Sequence, residues 1–83
     1  MKCITVYTDN LTELSDILPE LIETTLEENE EKQIDGITVS DAGEVPEDYI
    51  EKMKSKPEVA VLHTKKPPIT ILQHHNVFEL LFL

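Results

Sequence analysis

Few side chains in this sequence could act on a substrate or hold a ligand. They are Cys3, His63, His74, His75 and a large set of carboxylates that includes Glu79. A histidine beside a glutamate can move protons near neutral pH, and a cysteine can attack or bind soft metals once its thiol ionises. His63, Thr70 and Glu79 are expected to form a row across three neighbouring strands. On an exposed face these read first as solvated cross-strand residues; the alternative is an acid–base pair of His63 and Glu79. His63 and His74 are separated by roughly 13 Å at about 3.3 Å per strand residue, too far apart to share one zinc ion. His74 and His75 are adjacent and point apart. No metal site is expected within one chain, and no cofactor. Cys3 stands alone near the start of a strand and reads more readily as a small packing residue than as a nucleophile.

Other chemistries lack their residues. The 83-residue chain contains only two glycines, Gly36 and Gly43, so no glycine-rich phosphate loop is present. There is no arginine to clamp a carboxylate or phosphate with a two-pronged fork. The acids at Glu20, Glu23, Glu27 and Glu30 have helical spacing, not the alternating Asp/Asn pattern and central glycine of a calcium loop.

Charge and composition set the setting for these groups. The net charge is −10, with 17 acids against 7 lysines. Fifteen of those acids fall in residues 1–56, and residues 57–83 are balanced. Such a surface repels nucleic acid and anionic membranes. It reads first as a solvated acidic face that keeps a small protein soluble, the alternative being attraction of a basic partner or mimicry of a nucleic-acid surface. One cysteine cannot form a disulfide within the chain, which favours a reducing compartment. The N-terminal stretch is too polar for a signal peptide, and no apolar run reaches the length needed to span a bilayer. A small, single-domain (residues 1–83), acidic cytoplasmic protein is expected.

The elements that must position these groups follow from hydrophobic period. Residues 2–8 alternate, with Ile4 and Val6 on one face, and read as a strand. Asn10 followed by Glu13 has capping-box spacing. Leu11, Leu14, Leu18, Leu21, Ile22 and Leu26 then form a helical stripe. Pro19 lies within it and is expected to bend or split the helix. The acidic run 27–31 sits at the unfavourable end of the helix dipole, so the helix should end by about residue 30. Residues 34–40 read as a strand, and Asp41-Ala42-Gly43-Glu44 as a turn. A second helix begins at Val45-Pro46-Glu47-Asp48, with Tyr49, Ile50 and Met53 inward, and stops at Pro57.

Residues 59–83 read as three strands in a meander. A loop at residues 65–68 sets Thr64 opposite Ile69, Leu62 opposite Ile71 and Ala60 opposite Gln73. A two-residue turn at His74-His75 sets Ile71 opposite Phe78 and Ile69 opposite Leu80. The core face then carries Ala60, Leu62, Ile69, Ile71, Phe78, Leu80 and Phe82.

The expected fold is α/β, bordering on α+β: a two-layer β-α-β-α-β-β-β chain, with one mixed five-stranded sheet and both helices on one face. The opposite face would then expose Val61, Leu72, Val77 and Leu81. Buried apolar area is worth roughly 25 cal/mol per Å², so these residues favour a homodimer or a docking surface, against simple half-exposure of the sheet.

The first strand Ile4-Thr5-Val6-Tyr7-Thr8, the alternating elements after it and Pro67-Pro68 before a strand resemble the order of a thioredoxin-like domain. That resemblance implies a cis-proline at Pro68. The redox Cys-x-x-Cys is replaced by Thr8-Asp9-Asn10-Leu11-Thr12, so it implies a redox-inactive relative. Lys56-Pro57-Glu58-Val59 resembles the helix-to-strand phrase of ferredoxin-like regulatory domains such as the ACT type, although the strand expected before the second helix is missing. Two functions are expected from these readings: a protein–protein interaction or regulatory domain, and, as the alternative, an enzyme or redox-inactive domain with a site at a subunit interface built from His63, Glu79 or Cys3.

Overall fold

The first strand, β1 (Lys2–Val6), is buried on both faces, because Cys3, Ile4 and Val6 are all shielded from water. A computed structural model describes residues 1–24, 26–65 and 68–82 of the chain. Its order is β1, α1 (Leu11–Glu23), β2 (Glu31–Ile34), β3 (Ile37–Glu44), α2 (Tyr49–Lys54), β4 (Ala60–Lys65), β5 (Pro68–Gln73) and β6 (Phe78–Phe82). The six strands form one sheet in the order β2-β3-β1-β6-β5-β4. Every neighbouring pair is antiparallel. The fold is therefore a small α+β unit, and the expected five-stranded mixed sheet is corrected.

The sixth strand comes from a turn inside residues 34–40. Asp35 and Gly36 both have positive φ, 49° and 81°, the requirement of a two-residue type I′ hairpin. Ile34 pairs with Ile37 across it. β3 then lies between β1 and β2. Those two strands run in the same direction, as a helical crossover demands, but they are not neighbours. This is a split β-α-β unit. It supplies the strand that the ferredoxin-like resemblance lacked, whereas the antiparallel sheet departs from the parallel pairing on which the thioredoxin-like order rested.

β3 also continues through the segment expected to turn at residues 41–44. Cys3 pairs with Gly43 and Ile4 with Asp41, so Ala42 is an extra residue in a bulge. Gly43 takes φ 84° there. The buried Asp41 supports the bulge, its Oδ1 accepting the Gly43 amide hydrogen at 2.6 Å.

Asn10 caps α1, its side-chain oxygen accepting from the amides of Thr12 at 2.9 Å and Glu13 at 3.2 Å. Glu13 does not return to the cap residue's amide but accepts from the Thr8 hydroxyl at 2.7 Å. The buried stripe is Leu14, Ile17 and Leu21, while Leu11 and Ile22 remain exposed. α1 runs unbroken through Pro19. It ends at Glu23, where Thr24 is extended and its hydroxyl donates to the Glu20 carbonyl at 2.7 Å.

The β4–β5 pairing is the one expected, from Ala60 opposite Gln73 through Thr64 opposite Ile69. The expected loop at 65–68 contains Lys66 and Pro67, which lie outside the described residues, and its ends Lys65 and Pro68 are paired strand residues. The β5–β6 register is displaced by two: Ile71 faces Leu80 and Ile69 faces Phe82. The connection spans residues 74–77, where the His74 amide donates to the Val77 carbonyl at 3.0 Å. A two-residue shift leaves every side chain on its expected face, so Ile69, Ile71, Phe78 and Leu80 enter the main core, with Leu62 and Phe82 packed at its margin. Ala60 is exposed.

The helices do not share a face. The core under α1 gathers Leu14, Ile17 and Leu21 with Ile4, Val6, Val39, Ile71, Phe78 and Leu80. A second cluster, Cys3, Leu72 and Leu81, packs under Tyr49, Ile50 and Met53 of α2. The structure has three layers where two were expected. The physical reason is that the sheet centre is apolar on both sides, so each side takes a helix.

Pro19 is exposed, and its ring removes one amide hydrogen bond from the middle of α1. Pro19→Ala restores that donor without loss of packing and should raise the unfolding free energy in urea by about 1–2 kcal/mol, after allowance for the freer unfolded chain. A fall would show instead that the proline fits α1 to the sheet.

Candidate functional site

β6 alternates Phe78, Glu79, Leu80, Leu81, Phe82, and the alternation sends Glu79 to the α2 side of the sheet beside Leu81. A carboxylate there is largely shielded, with 16% of its side chain exposed. Burial of that charge requires donors. The Tyr49 hydroxyl of α2 lies 2.7 Å from Oε2 and 3.0 Å from Oε1, and donates to the carboxylate. The Cys3 thiol of β1 donates to Oε2 at 3.5 Å. Nε2 of His74 touches Oε1 but is not aligned as a hydrogen bond. Three residues thus meet at the Glu79 carboxylate: Cys3 and Tyr49 from distant parts of the chain and His74 from the adjoining connection.

Burial, and the Glu79 carboxylate beside them, set the chemistry of the donors. Burial pushes the Cys3 thiol up to about 12, with the Glu79 charge and hydrogen bond adding to it. Burial raises Tyr49 above the usual phenol range, again with help from the Glu79 hydrogen bond and charge. Both groups stay protonated at neutral pH as donors to Glu79. A thiol held in this way is a poor nucleophile and a poor metal ligand. Among the described residues, no group of three or more His, Cys, Asp or Glu side chains is arranged to hold a metal ion.

The other expected residues are placed elsewhere. Nδ1 of His63 lies 3.2 Å from the Thr70 hydroxyl at the β4 edge. The shifted β5–β6 register sets Glu79 opposite Leu72, not Thr70, so the three-residue row of His63, Thr70 and Glu79 is not formed. Leu72 and Leu81 are fully buried beneath α2, and Val61 and Val77 are half-buried. α2 thus covers Leu72 and Leu81 at the centre of the expected apolar face and leaves Val61 and Val77 partly exposed. His75 is exposed in the 74–77 connection.

The sequence alone pairs neither Tyr49 nor His74 with Glu79. Tyr49 carried a signal: an inward tyrosine needs an acceptor for its hydroxyl. His74 carried none, because its placement depends on the four-residue connection.

Shallow grooves lie on the surface. One of about 260 Å³ is lined by Lys2, Glu28, Asp41, Gly43 and Glu44, and one of about 190 Å³ by Lys2, Ile4, Leu21, Ile22, Thr24 and Phe82. No helix among the described residues is long and apolar enough to cross a membrane. No protein-family model, curated protein or solved structure matches the chain.

Two outcomes follow from the Glu79 cluster. Tyr49→Phe removes a hydrogen bond to a buried charged group and should lower stability by about 1–3 kcal/mol in urea unfolding; an unchanged midpoint would mean that α2 docks without it. The second concerns pH. Cys3 ionises near 9 when unfolded and near 12 when folded, so between those values the folded state holds the extra proton. The stability from this group is full below pH 9 and declines as pH rises from 9 to 12, and the raised Tyr49 acts in the same direction. Urea midpoints at pH 8 and pH 10.5 should fall accordingly, and by less in Cys3→Ala. An equal fall in both proteins would remove Cys3 as a cause.

Proposed function

We propose that the chain is a protein-interaction domain whose binding element is the outer edge of β4. One observation carries this reading, the contrast between the two ends of the sheet. β2 and β4 are the terminal strands. Edge strands present unpaired amides and carbonyls that template the addition of another strand, and charged or very short edges suppress such pairing. β2 is guarded in that way: it has four residues, with Glu31, Lys32 and Gln33 exposed.

β4 lacks those guards over most of its length. It is six residues long, reads Ala-Val-Leu-His-Thr-Lys, and contains no acid and no proline. Val61 and Leu62 are half-buried on opposite faces, where an added strand would finish covering them. Main-chain hydrogen bonds supply affinity in strand addition, and alternate side chains supply selectivity. The Glu79 cluster supports a structural role better than a catalytic one, because its donors stay protonated and the carboxylate is largely shielded from water.

The test is capture of partners by immobilised protein, comparing the native chain with Ala60→Lys/His63→Lys, in which two exposed β4 positions gain the charges that guard an edge. Bound protein should fall at least tenfold in the variant. Equal capture by both would place binding elsewhere.

A further inference from the structure

Resting on that reading of β4, we infer that its occupant is a second copy of this chain, paired antiparallel through β4 about a two-fold axis at Leu62. The first argument is charge. The chain carries −10, so two copies repel wherever their acids meet. β4 and β5 hold no acid at all. The guarded β2 edge lies five strand spacings away, roughly 24 Å at about 4.8 Å per strand. That exceeds two screening lengths at physiological salt, about 8 Å each. β4 is thus an edge whose own residues set no carboxylates against one another when two chains meet there.

The second argument is symmetry. In a two-fold antiparallel pair, a residue i opposes a residue j of the copy, and both must lie on the same face of the joined sheet. Residues of one strand alternate in face, so i and j must differ by an even number, and the axis passes through one residue that opposes itself. At Leu62, the pairs are Ala60 with Thr64 and Val61 with His63, and five consecutive residues of each strand are joined. No like charges oppose one another among them. Leu62, half-exposed at the margin of the core under α1, is covered by its own copy. An axis at His63 would set two imidazoles against each other, and an axis at Val61 would join fewer residues of β4. The product is a continuous twelve-stranded sheet with both α1 helices on one face and both α2 helices on the other.

This partner has a distinctive salt response. Screening reduces the repulsion between two acidic bodies, so self-pairing strengthens as salt rises, whereas a basic partner would be released. The experiment is molecular mass by light scattering over a concentration series at low and high salt, for the native chain, Leu62→Lys and Ala60→Lys. Circular dichroism checks folding, and the exposed Ala60 position serves if the half-buried Leu62 position disturbs the fold. The native chain should show the mass of two chains, with a dissociation constant that falls as salt rises, and both variants should associate at least tenfold more weakly. A single-chain mass at every concentration and salt overturns the inference, as does a two-chain mass unchanged in folded Ala60→Lys. A single-chain mass together with β4-dependent capture removes the self-pairing alone. Capture that ignores β4 removes the edge reading itself.

Discussion

The sheet centre is apolar on both sides, and the rest of the molecule answers to that constraint. In β1, Cys3 and Ile4 are adjacent and point to opposite faces, yet neither meets water. The same holds for Leu80 and Leu81 in β6 and for Ile71 and Leu72 in β5. At roughly 1.5–3 kcal/mol for each large apolar side chain buried, neither face can be left open in so small a domain. α1 covers one side with a thirteen-residue amphipathic helix. The other side receives only α2, six residues long and with no fully buried residue of its own.

So short a helix cannot form on its own propensity, because helix initiation is costly. α2 depends on what holds it. Apolar contacts from Tyr49, Ile50 and Met53 supply part of this, and the Tyr49–Glu79 hydrogen bond supplies direction. Glu79 is a carboxylate drawn into this face, largely shielded from water. Its desolvation is compensated by donors from β1 and α2, with the imidazole of the 74–77 connection beside it. The cluster joins the beginning, middle and end of the chain at one point.

The legible parts of the fold were the local ones. β1, the cap at Asn10, the stripe through Leu14 and Leu21, and the β4–β5 register all follow from short-range period and turn residues. The β2–β3 hairpin was also written in the sequence. Asp35-Gly36 is the dipeptide that a type I′ turn demands, but with isoleucines on either side it reads as a strand interior. The β5–β6 register was displaced because His74-His75 resembles a two-residue turn, whereas the structure uses residues 74–77. The face covered by α2 was the least legible. Alternation along β5 and β6 shows two apolar faces, but no local pattern says which distant helix covers each. Val61, Leu72 and Leu81 therefore read as a docking surface when they are the bed of α2. The same gap hid the site: Glu79 was visible as a carboxylate on that face, and its donors Tyr49 and Cys3 come from 30 and 76 residues away.

The packing of α2 over Leu72 and Leu81 is what sets the three-layer arrangement apart from a two-layer one. The most direct measurement is the set of side-chain proton contacts in solution by nuclear Overhauser spectroscopy, with labelled methyl groups. Ile50 and Met53 of α2 should show contacts to Leu72 and Leu81, with none to Leu14, Ile17 or Ile71. Contacts between α2 and the α1-side residues would contradict the three-layer arrangement and return Leu72 and Leu81 to the surface.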